Sequence, residues 1–178
     1  MCSSDLISHT IGTGGVGLGA NRSVPLDGSG DPIFIPRNSP EIFNRGEFHT
    51  IFWDGRIEQD TDGNLFTPAG DALLPGLSDP LEAQAMFPGT SRVEMRGEIG
   101  ENELGDLADD DFDGMWSALM VRLLAIDEYR QLFADAFPAT LQSELSFTHA
   151  AIAIAAFETQ NWTLPDSPFD RLDRKSVV

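Results

Sequence analysis

The chain has 178 residues, which is enough for one domain with a substantial buried core. Eleven Lys and Arg stand against 29 Asp and Glu, so the formal net charge is −18. This charge excludes nucleic acids and anionic membrane surfaces as partners, because both need clustered Lys and Arg. No apolar run approaches the roughly 18 residues of a membrane span. We therefore predict a globular domain whose acidic surface suits a basic protein partner or serves solubility alone.

The two ends of the chain look foreign to the rest. MCSSDL (1–6) and DRKSVV (173–178) match translated sequencing adapters, so we expect only residues 7–172 to belong to the natural domain. Leaving these ends out removes Cys2, the single cysteine, so cysteine usage does not indicate a redox compartment.

The first part of the chain is predicted to be loop. Residues 7–40 are rich in Gly and Pro. Their GTGGVGLG stretch lacks the flanking strand and helix of a dinucleotide site and the Gly-Lys-Ser/Thr of a Walker motif, so nucleotide binding is not indicated. Residues 57–80 are polar and contain three turn signals, which predicts an inserted loop.

Two helices are predicted after this polar region. DPLEAQAMF (79–87) has Asp79 as N-cap and a proline in the first turn, and Pro88 ends the helix. After an acidic loop, MWSALMVRLLAI (115–126) places its apolar residues on a helical period.

Two further helices complete the prediction. DEYRQLFADAF (127–137) is amphipathic, and its predicted buried face consists of Tyr129, Leu132, Phe133 and Phe137. SFTHAAIAIAAFETQNW (146–162) is capped by Ser146 or Thr148, and its alanines allow another object to approach closely. The predicted fold class is mostly α, with long irregular loops and little or no β.

The three histidines lack the spacing of a structural zinc site. His149 lies in the first turn of a predicted helix and is expected to be a surface or capping residue. His9 belongs to ISHTIGTGGV, which looks like the tail of a CxxCH haem-attachment segment with Ser8 in place of the second cysteine. From the residues alone, His9 is a loop histidine.

Six short motifs occur in one order along the chain, namely PRNSPEIFN (36–44), FWDGR (52–56), LEAQAMFPGTSRVEMRG (81–97), YRQLFADAF (129–137), AAIAIAAFET (150–159) and SPFDRL (167–172). Together they resemble the bacterial di-haem cytochrome c peroxidase family, which includes the MauG-like enzymes. The resemblance covers nearly all of residues 7–172 and is to the first, peroxidatic haem domain. It implies a cytochrome c-like haem domain that is part of a longer protein.

The resemblance also implies roles for individual residues. Glu94 matches the catalytic glutamate, which moves a proton between the oxygens of peroxide, and Gln84 matches the active-site glutamine. Trp53 matches the tryptophan that relays electrons between the two haems. Asn38 matches an asparagine that helps to bind calcium, and His9 matches the haem-binding histidine, although its CxxCH is not intact. Without the family, each of the first four has a structural explanation as a helix-end carboxylate, surface helix residue, core anchor or turn residue respectively.

The implied function is a periplasmic oxidoreductase that reduces hydrogen peroxide with electrons from a small donor cytochrome or cupredoxin. Its cofactors would be c-type haem, with two haems in the full-length parent, and calcium; the parent could be a homodimer. We expect the present chain to be an inactive fragment. Two alternatives stay open: a MauG-like haem oxidant of a protein or organic substrate, and a haem-free binding or structural domain, which Ser8 favours. We expect Glu94, Gln84 and Trp53 to meet at one cavity beside the helix at 150–159.

Overall fold

A computed structural model describes residues 28–30 and 40–164 of the chain. Four α-helices dominate this part: α1 (Pro80–Met86), α2 (Phe112–Leu124), α3 (Asp127–Ala136) and α4 (Phe147–Trp162). Short 3₁₀ turns lie at Arg45–Glu47, Gly70–Ala72 and Gln142–Glu144, and one π-helical turn lies at Arg92–Arg96. Among these residues no helix is long and apolar enough to cross a bilayer. The predicted mostly α class is confirmed, whereas both predicted adapter ends lie outside the described residues.

A small antiparallel sheet precedes the helices. Its strands are β1 (Thr50–Ile51), β2 (Ile57–Gln59) and β3 (Leu65–Phe66), in that spatial order. Ile51 pairs with Ile57, and both side chains are fully buried. The prediction of an inserted loop at 57–80 is therefore wrong at its first part, because Ile57 faces the core beside Ile51 and fixes the register of the sheet.

Helix α1 is the centre of the main core. It begins as predicted: the Asp79 side chain accepts a hydrogen bond from the Glu82 amide at 2.9 Å, and Pro80 occupies the first helical position. Helix α1 packs chiefly on α4, and the small side chains of Ala151 and Ala155 in α4 are buried in this core. The other buried members are Ile51, Ile57, Ala69, Leu81, Ala83, Met86, Phe87 and Trp116.

Trp116 connects α2 to the end of α1. Its side chain is fully buried, and its indole N–H donates a hydrogen bond to the carbonyl of Met86 at 2.8 Å. The ring stacks on Phe112 with centroids 5.6 Å apart and meets Phe87 edge-on at 6.2 Å. A buried tryptophan with a satisfied N–H is a strong packing anchor, so α2 is held firmly against α1.

Helix α3 buries less than its sequence predicts. Phe133 is buried beside Met120 and Ala150, but Tyr129 and Leu132 are 43% and 55% exposed. The prediction of a four-residue buried face is therefore wrong for these two residues, because α3 meets the rest of the described domain mainly at Phe133 and its neighbours.

The start of α4 agrees with its sequence. Ser146 is the N-cap, and its amide donates to Nδ1 of His149 at 3.1 Å. The His149 ring also meets Phe137 edge-on, with centroids 4.9 Å apart. The capping role predicted for His149 is confirmed.

Candidate functional site

A groove of about 450 Å³ lies between α1, α2 and α4. Helix α1 contributes Leu81 and Ala85, helix α2 contributes Leu119, and helix α4 contributes Phe147 and Ala150. Its volume is within the range of ligand and cofactor sites in proteins. The small side chains of Ala85 and Ala150 leave open space between the three helices, so the groove is a candidate site in the described part of the chain.

Three polar side chains line this mostly apolar groove: Gln84, Arg122 and Glu158. The amide oxygen of Gln84 is buried and has no hydrogen-bond partner among the described residues. Leaving a buried acceptor unsatisfied costs about 1–3 kcal/mol. The Gln84 side chain therefore suits a ligand that donates a hydrogen bond. Burial also raises the pKa of the Glu158 carboxyl, an effect that Arg45 partly opposes.

Glu94 lies in the π-helical turn that borders the groove. The carbonyl of Ser91 accepts hydrogen bonds from the amides of Glu94, Met95 and Arg96 at 3.0 to 3.2 Å. Met95 lines the groove, and the Glu94 side chain beside it is 22% exposed. Single π-helical turns interrupt regular helix geometry and occur frequently at functional sites. The turn places the Glu94 carboxylate directly before the groove-lining residue Met95 in the sequence. Glu94 itself is not one of the lining residues.

Two arginines hold this turn against the acidic loop at 97–111. Arg96 is 1% exposed; its guanidinium donates to the carbonyl oxygens of Leu104 at 2.9 Å and Ala108 at 3.0 Å, and also to that of Leu107. Its Nη1 contacts the Asp109 carboxylate at 2.8 Å. The segment that carries Glu94 is thus fixed by buried, charge-assisted hydrogen bonds.

Arg92 reinforces the same attachment. Its Nε lies 2.7 Å from Oδ1 of Asp109, and its Nη1 donates to the carbonyl of Gly105 at 2.9 Å. The hydrogen bond from Arg92, helped by that from Arg96, lowers the pKa of Asp109 from its ordinary value. The contacts of Arg92 and Arg96 were not predicted from the sequence. Two arginines directly before a long acidic segment are nevertheless a sequence signal for such ion pairs.

The FWDGR motif forms the turn between β1 and β2. The amide of Gly55 donates to the carbonyl of Phe52 at 3.2 Å, and both residues have positive φ, +67° and +68°. Such a φ is strained for Phe, whereas Gly adopts it readily. Trp53 in this turn is 64% exposed. The alternative that Trp53 is a core anchor is therefore excluded. The tryptophan that anchors the core is Trp116.

Arg56 brings the FWDGR turn and Glu94 together. Its Nη2 lies 3.8 Å from Oε1 of Glu94, and its Nη1 lies 3.0 Å from Oδ2 of Asp54. The guanidinium carbon is 3.7 Å from the centre of the Phe52 ring, a cation–π distance. Arg56 belongs to the FWDGR motif, but the sequence predicts no role for it, because a contact between segments that are remote in sequence has no local pattern.

The three predicted site residues that the structure describes thus lie on three separate segments. Gln84 lines the groove beside α4, Glu94 lies on the bordering turn, and Trp53 lies on the FWDGR turn. The expectation that all three line one cavity is wrong, because Gln84 is the only one of them among the residues that line the groove. His9 and Asn38 lie outside the described residues. Within residues 28–30 and 40–164, no group of three or more His, Cys, Asp or Glu is arranged to hold a metal ion.

Comparison with known proteins adds the family. The family model for di-haem cytochrome c peroxidase matches residues 9–177. Cytochrome c551 peroxidase of Pseudomonas aeruginosa is 30% identical over 164 residues, which are 91% of this chain and 34% of that protein. The chain thus spans about a third of the length of this curated relative. No solved structure gives a significant match. Because the family model covers almost the whole chain, this protein belongs to the di-haem cytochrome c peroxidase family.

Proposed function

We propose that the chain is the peroxidatic haem domain of a longer periplasmic protein, which reduces hydrogen peroxide to water with electrons from a small donor cytochrome or cupredoxin. Family membership and the peroxidase relative support this proposal. The observation that carries it is the apolar groove with the buried, unpartnered amide oxygen of Gln84, bordered by the turn of Glu94. Such a site combines apolar surface for a cofactor with polar groups for a small substrate.

The residues of the groove fit a haem. Leu81, Leu119 and Phe147 would contact the apolar macrocycle, and the small side chains of Ala85 and Ala150 leave room for it. Arg122, at the groove and 2.7 Å from Glu103, is the cationic side chain suited to a haem carboxylate. When bound, a c-type haem would supply the iron-centred redox chemistry. This fit favours a haem domain over the haem-free alternative.

The chain's own residues would handle protons and substrate. Reduction of one peroxide to two waters consumes two electrons and two protons. Glu94 would take a proton from one peroxide oxygen and give it to the other as the O–O bond breaks. The Gln84 amide would orient the peroxide, and the apolar lining would exclude water. Trp53 would relay electrons from the second haem.

Two parts of the proposal rest on residues outside those described. Asn38 would provide an oxygen ligand to calcium, a hard cation that prefers carboxylate and amide oxygens. His9 would bind the haem iron, although Ser8 occupies the place of the second attachment cysteine. Calcium removal with a chelator and haem content of the full-length protein would test these two assignments separately.

Rapid mixing of the haem-loaded, full-length parent with hydrogen peroxide tests the proposal. Glu94→Gln keeps the shape but removes the ionisable group, so the peroxide step should slow by about 10² to 10⁴-fold. Trp53→Phe should leave that step unchanged and slow electron transfer between the haems. The exposed Glu128 on α3 provides a matched control, and Glu128→Gln should change neither step. Equal slowing of one step by the Glu94 and Trp53 variants would contradict this division of roles.

The MauG-like alternative makes a different prediction for the same parent. It expects turnover of a protein or organic substrate in place of a donor cytochrome. Steady-state assays with reduced cytochrome c and with candidate substrates, on one preparation, would distinguish the two activities.

A further inference from the structure

The contact between Arg56 and Glu94 links the two motifs of the site. Their side chains are 29% and 22% exposed, so both are largely shielded from solvent. Their closest charged atoms are 3.8 Å apart, at the outer edge of an ion pair. Partial burial strengthens such an attraction relative to a fully exposed pair. Arg56 therefore attracts the Glu94 carboxylate, to which the proposed function assigns proton transfer.

The FWDGR turn fixes the position of the Arg56 guanidinium. Asp54 accepts hydrogen bonds from the Arg56 side chain at 3.0 Å and from its backbone amide at 3.3 Å. The Phe52 ring lies beneath the guanidinium, and the left-handed backbone at Phe52 accompanies this arrangement. A planar guanidinium with both a carboxylate and a ring against it has little rotational freedom. Strain retained in a turn is a recurrent feature of functional sites.

We infer that Arg56 is a positioning residue, which acts on the peroxide reaction by holding the Glu94 carboxylate in place. This inference rests on the proposed function of Glu94. The same turn carries Trp53, so the proton-transfer group and the electron-transfer group are anchored to one structural unit. Misplacement of a catalytic group by about 1 Å can cost about 10²-fold in rate, so the loss of Arg56 should be visible in the peroxide step.

A double-mutant cycle in the haem-loaded, full-length parent tests the inference. Arg56→Gln should slow the peroxide step by about tenfold to one hundredfold. In the Glu94→Gln background the same change should have almost no further effect, because the group through which Arg56 acts is gone. Arg56→Lys keeps the charge but loses the planar fork, so it should restore part of the rate. Arg130→Gln on α3, which removes a surface contact with Asp127, is the control and should leave the rate unchanged.

The outcomes separate this inference from the proposed function. If Glu94→Gln leaves the peroxide step unchanged, the proposed function fails. If Glu94→Gln slows the step but Arg56→Gln does not, the positioning role is wrong. If the fold losses in rate from Arg56→Gln and Glu94→Gln multiply in the double variant, Arg56 acts independently of Glu94 and the inference is again overturned. Should Arg56→Gln lower haem content or folding, the Arg56→Lys variant and its Glu94→Gln double variant carry the same comparison.

Discussion

The turn that carries Glu94 is bound to a neighbouring loop by arginine contacts, whereas the turn that carries Trp53 leaves that side chain largely exposed. Arg96, almost fully buried, and Arg92 bind the Glu94 turn to the loop at 97–111 through carbonyls and a shared carboxylate. The FWDGR turn leaves Trp53 64% exposed. The proposed peroxide side is thus held in place by contacts within this chain. The proposed electron-transfer side presents an aromatic ring outward, as a relay to another domain requires.

The largest effect should follow from cutting the attachment of the Glu94 turn. Arg96→Met removes a buried guanidinium and leaves the carbonyls of Leu104 and Ala108 without their donors, so the free energy of unfolding should fall by about 3 kcal/mol. Urea unfolding would measure it. Glu103→Gln, which removes an exposed ion pair with Arg122, is the control and should cost less than about 1 kcal/mol. Equal losses would show that the loop is not held by Arg96.

A smaller effect should separate the two tryptophans. Trp116→Phe removes a buried hydrogen bond and part of a packed ring, so it should lower the free energy of unfolding by about 2 kcal/mol. Trp53→Phe alters a largely exposed ring and should change it by less than about 0.5 kcal/mol. Thermal or urea unfolding of both variants checks this, and a large loss from the Trp53 variant would contradict the contrast between the two regions.

The pH dependence of stability gives the smallest effect. The arginine contacts lower the folded-state pKa of Asp109 below its ordinary value. The resulting stabilisation is present above that ordinary value and is lost as pH falls through the folded-state pKa. Between about pH 5 and pH 2, the native protein should therefore lose more stability than Asp109→Asn. Urea midpoints across this range would measure the difference. Parallel curves would mean that the arginines do not stabilise the ionised form of Asp109.

The sequence predicts local features well and tertiary contacts poorly. The starts of α1 and α4 follow from Asp79, Pro80 and Ser146, because capping depends on residues within one turn. The exposure of Tyr129 and Leu132 could not be predicted, since an amphipathic pattern does not show how much of its apolar face a neighbour covers.

The site itself shows the same limit. The family resemblance proposes roles for Gln84, Glu94 and Trp53, but the contact of Arg56 with Glu94 joins segments that are remote in sequence. The buried bonds of Arg96 likewise depend on how the acidic loop folds back on the π-helical turn. Neither contact has a local sequence pattern, so both require the structure.

If the groove between α1, α2 and α4 holds the proposed peroxidatic haem, then filling the groove should remove that haem, and haem content measures this most directly. Ala85 lines the groove, whereas Ala156 on α4 is exposed and is not among the lining residues. In the proposed full-length parent, Ala85→Trp should fill the groove and reduce the haem bound per chain from two to one. Ala156→Trp should retain two, and circular dichroism of both variants should match that of the unaltered protein. An Ala85→Trp protein with two haems and an unchanged peroxide reaction would contradict the account.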